Sequence, residues 1–545
     1  MDERYLIALI LTGKPAACGA LDPARQANVS LPVQRSIEAA ANLGRLFVSV
    51  AACRGAAPAI VTNEACWTYA ELAIAAHTVA ENLQAMHAFG PGERVILLLP
   101  NSAEYVAGFY GVLLAGGVVV PVPPKTETGV LQGIVDSTDA VAVIANLQVV
   151  AARADMHDLT AERIDLNSGE ISDCQESLPH LHDTKNDLAA IFFTGGSTGA
   201  PKGVMLSHRN LISNARSIQH YLKITPADRP LCVLPFHHAF GNSVWQSHLL
   251  AGATVVLDGQ TAFPETIVKA LARHECTSLS GVPDLFRILL ERSSLGETDL
   301  PKLRYMAVAG GALKHELALE VARRIAPSEF FVMYGQTEAT ARLAYVPPEL
   351  LDQLPAGSIG RAVPGVDLEI VDECDRPVAD GVVGELRARG PGIMLGYWRN
   401  PSATSERIRS GWLYTGDLAS KDGDDWISLR GRLSSFVKIA GFRVDPGDLE
   451  DFALRRLAAS QAVAVAYESR DVGTRLALYV RHAVGTPTPT PSEMTARCRA
   501  ELPRHFVPDL IQIVDEFPLN HALKIDRPLL SQLAEATAAS RRIPA

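Results

Sequence analysis

Residues 189–208 read AAIFFTGGSTGAPKGVMLSH, a run of five apolar residues that breaks directly into glycine, hydroxyl residues and a lysine. A continuous apolar run ended by turn residues is a strand buried on both faces, so the loop after it lies at a strand end inside a sheet. Gly195, Gly196 and Gly199 let backbone N–H groups approach an anion closely, Thr194, Ser197 and Thr198 add hydroxyl donors, and Lys202 adds fixed positive charge. The pattern is that of a phosphate-handling loop. It departs from the Walker spacing, because Lys202 stands three residues past Gly199 with Pro201 between, and the helix signal comes only after Ser207. On these residues alone an ordinary glycine-rich turn stays open.

The flanking chain repeats one unit. WTYAELAIAAHTVAENL from residue 67 has helical periodicity, VILLL (95–99) is a buried strand, a helix starts at Ser102, and VVVPV (118–122) returns as a strand. AVAVIA (140–145) adds another, so a largely parallel sheet covered by helices follows, with ligands beyond the strand C-terminal ends. Segment 231–257 reads as strand, aromatic and histidine loop, helix, strand. His237 and His238, flanked by Phe236 and Phe240, are a pocket wall, core aromatics or a metal site, the last disfavoured because adjacent histidines point apart on most backbones. LRYMAVAGGAL (303–313) and EFFVMYGQTEAT (329–340) are further strands ending in small or polar loops. Glu338 there is either a solvated surface charge or, beside a polyphosphate, a hard oxygen ligand for Mg2+.

From about 357 turn signals recur every ten residues or so, which predicts an all-β stretch, with Asp417 and Arg432 its notable polar residues. After Arg432 a strand, a turn and a helix over 437–457, helices near 448–458 and 492–502, and strands near 462–467 and 475–482 predict a separate α+β domain. The expected organisation is an N-terminal extension (1–44), a large α/β domain with a β-rich part (45–433), a small mobile domain (434–530) and a tail (531–545).

A chain of 545 residues with 48% hydrophobic residues is too long for one core and too apolar for disorder. A net charge of −10 without a long basic run argues against a nucleic-acid partner. The eight cysteines show no CxxC or zinc-like spacing, which fits a reduced, cytoplasmic protein. LIALIL (6–11) follows acidic residues and lacks a cleavage site, so it reads as a packed helix or strand. The apolar stretch 105–122 is broken by four glycines and a proline, so no membrane span is expected.

Taken together the motifs resemble the superfamily of adenylate-forming enzymes: acyl-CoA synthetases, luciferases and peptide-synthetase adenylation domains. The resemblance covers roughly 45–530 and rests on ordered motifs: FTGGSTGAPKG at 193, YGQTEAT at 334, GELRARGPGIMLGYW at 384, YTGDL at 414, GRLSSFVKIAGFRVDPGDLE at 431 and PLNHALKIDR at 518. It implies that Thr194, Ser197, Thr198, Gly199 and Lys202 wrap the ATP triphosphate, and that Tyr334 with Gly335 and the Gly310–Gly311 strand end enclose adenine. Thr337 would touch phosphate, Glu338 hold Mg2+, Asp417 bind the ribose hydroxyls, and Arg432 lie near ribose and phosphate. Lys524 would catalyse adenylation, and His238 would gate the acid pocket. A second half-reaction is implied, in which the small domain turns about a hinge, Lys524 leaves, the Gly441 loop enters, and a thiol of CoA or of a carrier-protein pantetheine attacks the acyl-adenylate.

Three residues depart from the family pattern: Gly195 where many relatives have serine, Ser434 at the hinge, and Leu523 before the catalytic lysine. An inactive nucleotide-binding homologue is the reading these departures would favour. No aspartate lies in PFHHAFGN to pair with a substrate ammonium, so a fatty, aryl or other non-amino acid is expected. Phe240, Gly241, Asn242, Trp245, Gly281 and Val282 are the expected pocket positions, with Asn242 either reading a polar substituent or capping a helix. The acceptor is CoA by default, with an acyl carrier protein as the alternative.

Overall fold

The computed structural model describes residues 42–87, 89–146, 149, 187–194, 201–433, 437–439, 442–444, 446–469, 473–482, 488–519 and 525–540, with two short strand segments, Leu9–Ile10 and Ile164–Asp165. It divides into two compact units, Met1–Glu369 with Arg387–Tyr414, and Ile370–Leu386 with Thr415–Ala545. The expected class, α/β with parallel sheets followed by a smaller α+β unit, is what is observed.

Among its described residues the first unit holds two larger sheets besides the parallel pair Leu9–Ile10 with Ile164–Asp165. One has the strand order Gly396–Tyr397, Lys202–Ser207, Leu188–Thr194, Val118–Pro121, Arg94–Leu97, Ala142–Ile144. Its last four strands are parallel, as the repeated strand–helix pattern predicts, while Lys202–Ser207 turns back antiparallel on Leu188–Thr194. The glycine-rich segment therefore lies in sequence between two antiparallel partner strands, and the helix His208–Tyr221 begins one strand later. In the second sheet Pro58–Val61, Val255–Val256, Pro230–Leu231, Ser278–Gly281, Tyr305–Val308 and Glu329–Tyr334 run parallel in that order.

Helix Ala103–Leu114 shows why 105–122 is apolar without being a membrane span. All its residues but Glu104 are buried, and Ser102 caps it as expected. A helix apolar on every side belongs in a core. A Cβ on Gly111 would lie 2.5 Å from Val79 Cβ, so glycine is what allows helix Tyr69–Ala85 to pack so close. Tyr110 stacks on Phe47 at 4.1 Å, and Trp245 meets Tyr110 edge-on at 5.5 Å. No helix among the described residues is long and apolar enough to cross a membrane.

The stretch after 357 is mostly strands, with one helix, Pro401–Arg407, that the turn spacing does not reveal. Its signal is Asn400-Pro401: the Asn400 side chain accepts from Ala403 N at 3.0 Å and proline fills the first helical position.

In the second unit, strands Gln461–Ser469, Gly473–Arg481 and Leu510–Ile513 form a sheet whose central residues are buried on both faces. Ala462, Ala464, Leu476 and Leu478 face a core with helices Pro446–Arg456 and Pro491–Glu501, while Val463, Val465, Ala477 and Tyr479 face helix Arg527–Ser540. That helix runs through residue 530 and packs Leu530 and Ala534. Where a strand, a turn and a helix were expected over 437–457, two antiparallel strands, Val437–Ile439 and Phe442–Val444, precede the helix Pro446–Arg456.

Two buried histidines tie the first unit together. His208 Nδ1 accepts from Leu43 N at 3.1 Å, and burial pulls its pKa down to about 4. His248 Nδ1–H donates to Val244 O at 2.7 Å, leaving Nε2 for the Tyr305 hydroxyl at 3.1 Å, and burial again lowers it to about 4. A folded-state pKa below the unfolded value means that the unfolded chain binds the extra proton between pH 6.5 and 4. Unfolding free energy should therefore fall as pH drops through that window, by on the order of 3 kcal/mol per histidine. Urea unfolding from pH 7 to 4.5 measures this, and His208→Gln should flatten the slope.

Candidate active site

Three neighbouring parallel strands, Ser278–Gly281, Tyr305–Val308 and Glu329–Tyr334, end side by side, with Gly281 opposite Val308 and Val308 opposite Val332. Gly281, Gly310–Gly311 and Tyr334–Gly335 thus share one edge of the sheet, the end where open parallel sheets bind ligands. Gly310 has φ +89°, which a side chain disfavours. A Cβ on Gly335 would lie 2.0 Å from Ala341 O, so this glycine lets the chain fold back on itself.

That fold-back is the YGQTEAT motif. Thr337–Ala339 is a single 3-10 turn, and Thr340 and Ala341 follow at positive φ. The turn is tied to the segment after residue 390: Thr340 Oγ1 donates to Gly392 O at 2.6 Å and Met394 N to Glu338 O at 2.9 Å. Asn210 Nδ2 donates to Pro391 O at 2.8 Å and Ile393 O at 2.7 Å from the start of helix His208–Tyr221. This lacing delivers Tyr397, which pairs with Val204.

Tyr397 joins the two predicted phosphate elements. Its hydroxyl donates to Glu338 Oε1 at 2.7 Å, and Lys202 Nζ lies 5.4 Å from its ring centroid. Burial, then the Glu338 carboxylate, pushes the phenol above its usual range, so it stays a donor. Among the described residues Glu338 Oε2 has no hydrogen-bond partner and Glu338 forms no ion pair. Thr194 pairs with Lys202 on the antiparallel partner strand, with its Oγ1 3.3 Å from Lys202 O. The structure therefore brings Thr194, Lys202 and Glu338 together through Tyr397, with Thr337 beside Glu338 in the same 3-10 turn. Sequence reasoning missed Tyr397, although GYW lies inside a quoted motif.

Asp417 and Arg432 are described within the second unit. They face each other across strands Trp412–Lys421 and Ile427–Arg432, and Arg432 Nε donates to Asp417 Oδ1 at 2.6 Å. Asp417 is buried and its backbone N–H donates to Thr415 Oγ1 at 3.1 Å. Ser197, Thr198, Gly199, Gly195, Ser434, Gly441, Leu523 and Lys524 lie outside the described residues. Leu519 and Ile525, which pair antiparallel, bracket Lys524 in sequence.

The expected acid pocket has an unanticipated composition. His238 is the N-cap residue of helix Ala239–Leu250, and its ring lies 4.5 Å from that of His237, so these neighbours do not point apart. Asn242 does not cap this helix: it sits inside the first turn, buried, with Oδ1 lacking a hydrogen-bond partner among the described residues. With Gln246, Asn214 and Thr340 it lines a cavity of about 10 Å3, room for one water and not for an acyl group. A Cβ on Gly241 would lie 2.1 Å from Pro235 O, so its role here is close backbone approach. Gly281 packs against Leu285, 2.6 Å from where its Cβ would be. Trp245, expected in the pocket, is wholly buried among Tyr105, Phe109 and Phe236, because its ring completes an aromatic cluster.

Phe240 carries a cation on its face. The Arg342 guanidinium lies 4.3 Å from its ring centroid, at 2% exposure. Nothing in the residue spacing marks Arg342, because it follows two backbone reversals that only the fold discloses.

Residues 47–398 match the model of the AMP-binding enzyme family. A long-chain-fatty-acid–CoA ligase of Escherichia coli O157:H7 is 29% identical over 86% of this chain and 90% of its own length. Tyrocidine synthase 3 of Brevibacillus parabrevis is 30% identical over 89% of this chain, which corresponds to 8% of that much longer protein. The crystal structure of ATP-bound MatB from Rhodopseudomonas palustris is 26% identical, with a TM-score of 0.77 over 92% of this chain and all of that one. A match over well more than half of its length places this chain in the AMP-binding enzyme family.

Proposed function

We propose that this chain joins ATP to a non-amino carboxylic acid, releasing pyrophosphate, and then passes the acyl group to CoA. An AMP-forming acid–thiol ligase is what the family membership establishes; the class of acid and the acceptor are our reading. The observation that carries it is the Lys202–Tyr397–Glu338 constellation at the ends of the parallel strands. A carboxylate is a weak anionic nucleophile approaching an anionic α-phosphate, so charge neutralisation is the main catalytic task.

One carboxylate oxygen, positioned through Tyr397, with the other left to a ligand, suits Mg2+, which takes one or two protein carboxylates and completes its shell with phosphate and water. When bound there, Mg2+ would neutralise phosphate charge. In our reading Thr194, Ser197, Thr198, Gly199, Thr337 and Lys202 hold the triphosphate, and Tyr334 and Gly310–Gly311 enclose adenine. Asp417 takes the ribose hydroxyls, oriented by its bond to Arg432. Lys524 bridges the acid and the α-phosphate as a carboxylate oxygen bonds to phosphorus and pyrophosphate departs. The thiol sulfur then bonds to the acyl carbon, AMP leaves, and the loop at Gly441 admits the pantetheine arm about a hinge at Ser434. His238, at the mouth of the Phe240 helix, gates the acid.

The test is acid-dependent pyrophosphate release from MgATP over fatty, aryl and amino acids, followed by CoA or a holo carrier protein. A CoA thioester of a non-amino acid supports the reading; a thioester on the carrier alone favours the kind of role suggested by the peptide-synthetase relative; ATP binding without any release would indicate an inactive homologue. Lys524→Ala should lower adenylation at least a hundredfold, about 3 kcal/mol, while leaving ATP binding intact by calorimetry. Tyr397→Phe removes a hydrogen bond to a charged group and should lower pyrophosphate release about tenfold or somewhat more, with a higher Mg2+ requirement.

A further inference from the structure

Arg342 is a buried cation without a counter-anion among the described residues. Its Nη1 donates to Ala341 O at 3.3 Å, its plane lies over Phe240, and it bears on the Tyr221 phenol, but no carboxylate forms an ion pair with it. Its Nε is buried and has no hydrogen-bond partner there. The other groups around Tyr221 and Phe240 are Ile218, Phe331, Met333 and Tyr345, an apolar and aromatic cluster. Taking a guanidinium out of water into such surroundings is costly, and a planar fork with an unused N–H is shaped to receive a carboxylate.

Its position says which carboxylate. Arg342 follows Glu338 by four residues, and Leu343 N donates to Tyr334 O at 2.9 Å, so Arg342 lies beside the strand end where the nucleotide is read to bind. Its guanidinium lies over the ring of Phe240, an expected position of the acid pocket. The reacting carboxylate has to meet phosphate beside Glu338 and Lys202, both partly exposed. The group that reaches Arg342 is therefore at the other end of the acid.

We propose that the acid carries a second carboxylate, and that Arg342 is the specificity residue that receives it. The assignment rests on the acid-activating reading above and deepens it.

The experiment compares linear and aromatic dicarboxylic acids of three to ten carbons with their mono-methyl esters. Each pair shares length and reacting carboxylate and differs by one charge. For the preferred length, the diacid should exceed its half-ester in kcat/KM for pyrophosphate release by at least a hundredfold. Equal or better use of the half-esters, or of plain fatty acids, overturns the proposal without touching the acid-activating reading. In Arg342→Met the preference ratio should collapse towards one, with Arg342→Lys intermediate; a ratio unchanged in a folded Met variant also overturns it. Should the Met variant not fold, the wild-type comparison decides alone. If no acid releases pyrophosphate, the acid-activating reading fails, and the melting temperature still decides recognition: with ATP present, a rise with diacid and none with half-ester supports Arg342, and no rise with any diacid ends the proposal.

Discussion

One buried carboxamide organises the candidate site edge of the first unit. Asn210 accepts from Ser207 N through Oδ1 at 2.8 Å, closing a capping box, while its Nδ2 holds the Pro391 and Ile393 carbonyls. The same residue therefore starts helix His208–Tyr221 and anchors a segment nearly two hundred residues away. Buried backbone carbonyls need donors, and here the donors come from a helix terminus that would otherwise be satisfied locally. Tyr397, and through it the orientation of Glu338, depends on this lacing.

The second organising feature is the close approach of backbones that only glycine permits. Gly241 against Pro235, Gly335 against Ala341 and Gly111 against Val79 are packing positions, each with no room for a Cβ. Gly241 and Gly335 lie in or beside expected ligand positions, yet their immediate partners are this chain's own atoms. Function and packing coincide here because a ligand-binding turn must be compact before its side chains can be aimed.

Polar groups in the core mark where the first unit departs from simple apolar packing. His208 accepts from the Leu43 backbone N–H, His248 pairs with the Val244 carbonyl and the Tyr305 hydroxyl, and both serve the fold. Arg342 differs, because a carbonyl, a phenol and an aromatic face compensate only part of a guanidinium. That contrast, rather than burial alone, singles it out as a recognition group.

Much of the scaffold was legible in the residues. Continuous apolar runs such as VVVPV and AAIFF mark doubly buried strands, Ser102 marks a helix start, and the runs near 462–467 and 475–482 mark strands of the second unit, because these signals act over a few residues. The ordered motifs likewise carried family and chemistry, and singled out Glu338, Lys202, Asp417 and Arg432 as expected site residues. Residues whose role depends on a distant partner were beyond that reach. Tyr397 became notable only when strand pairing set it against Val204 and its hydroxyl met Glu338; Trp245 moved from pocket to core because Tyr105 and Phe109 surround it; Arg342 acquired meaning from Phe240, a hundred residues earlier. Local propensity and motif spacing are properties of the chain, whereas the partner of a buried charge or hydroxyl is set by the packing of segments far apart in sequence, and only the tertiary structure brings them together.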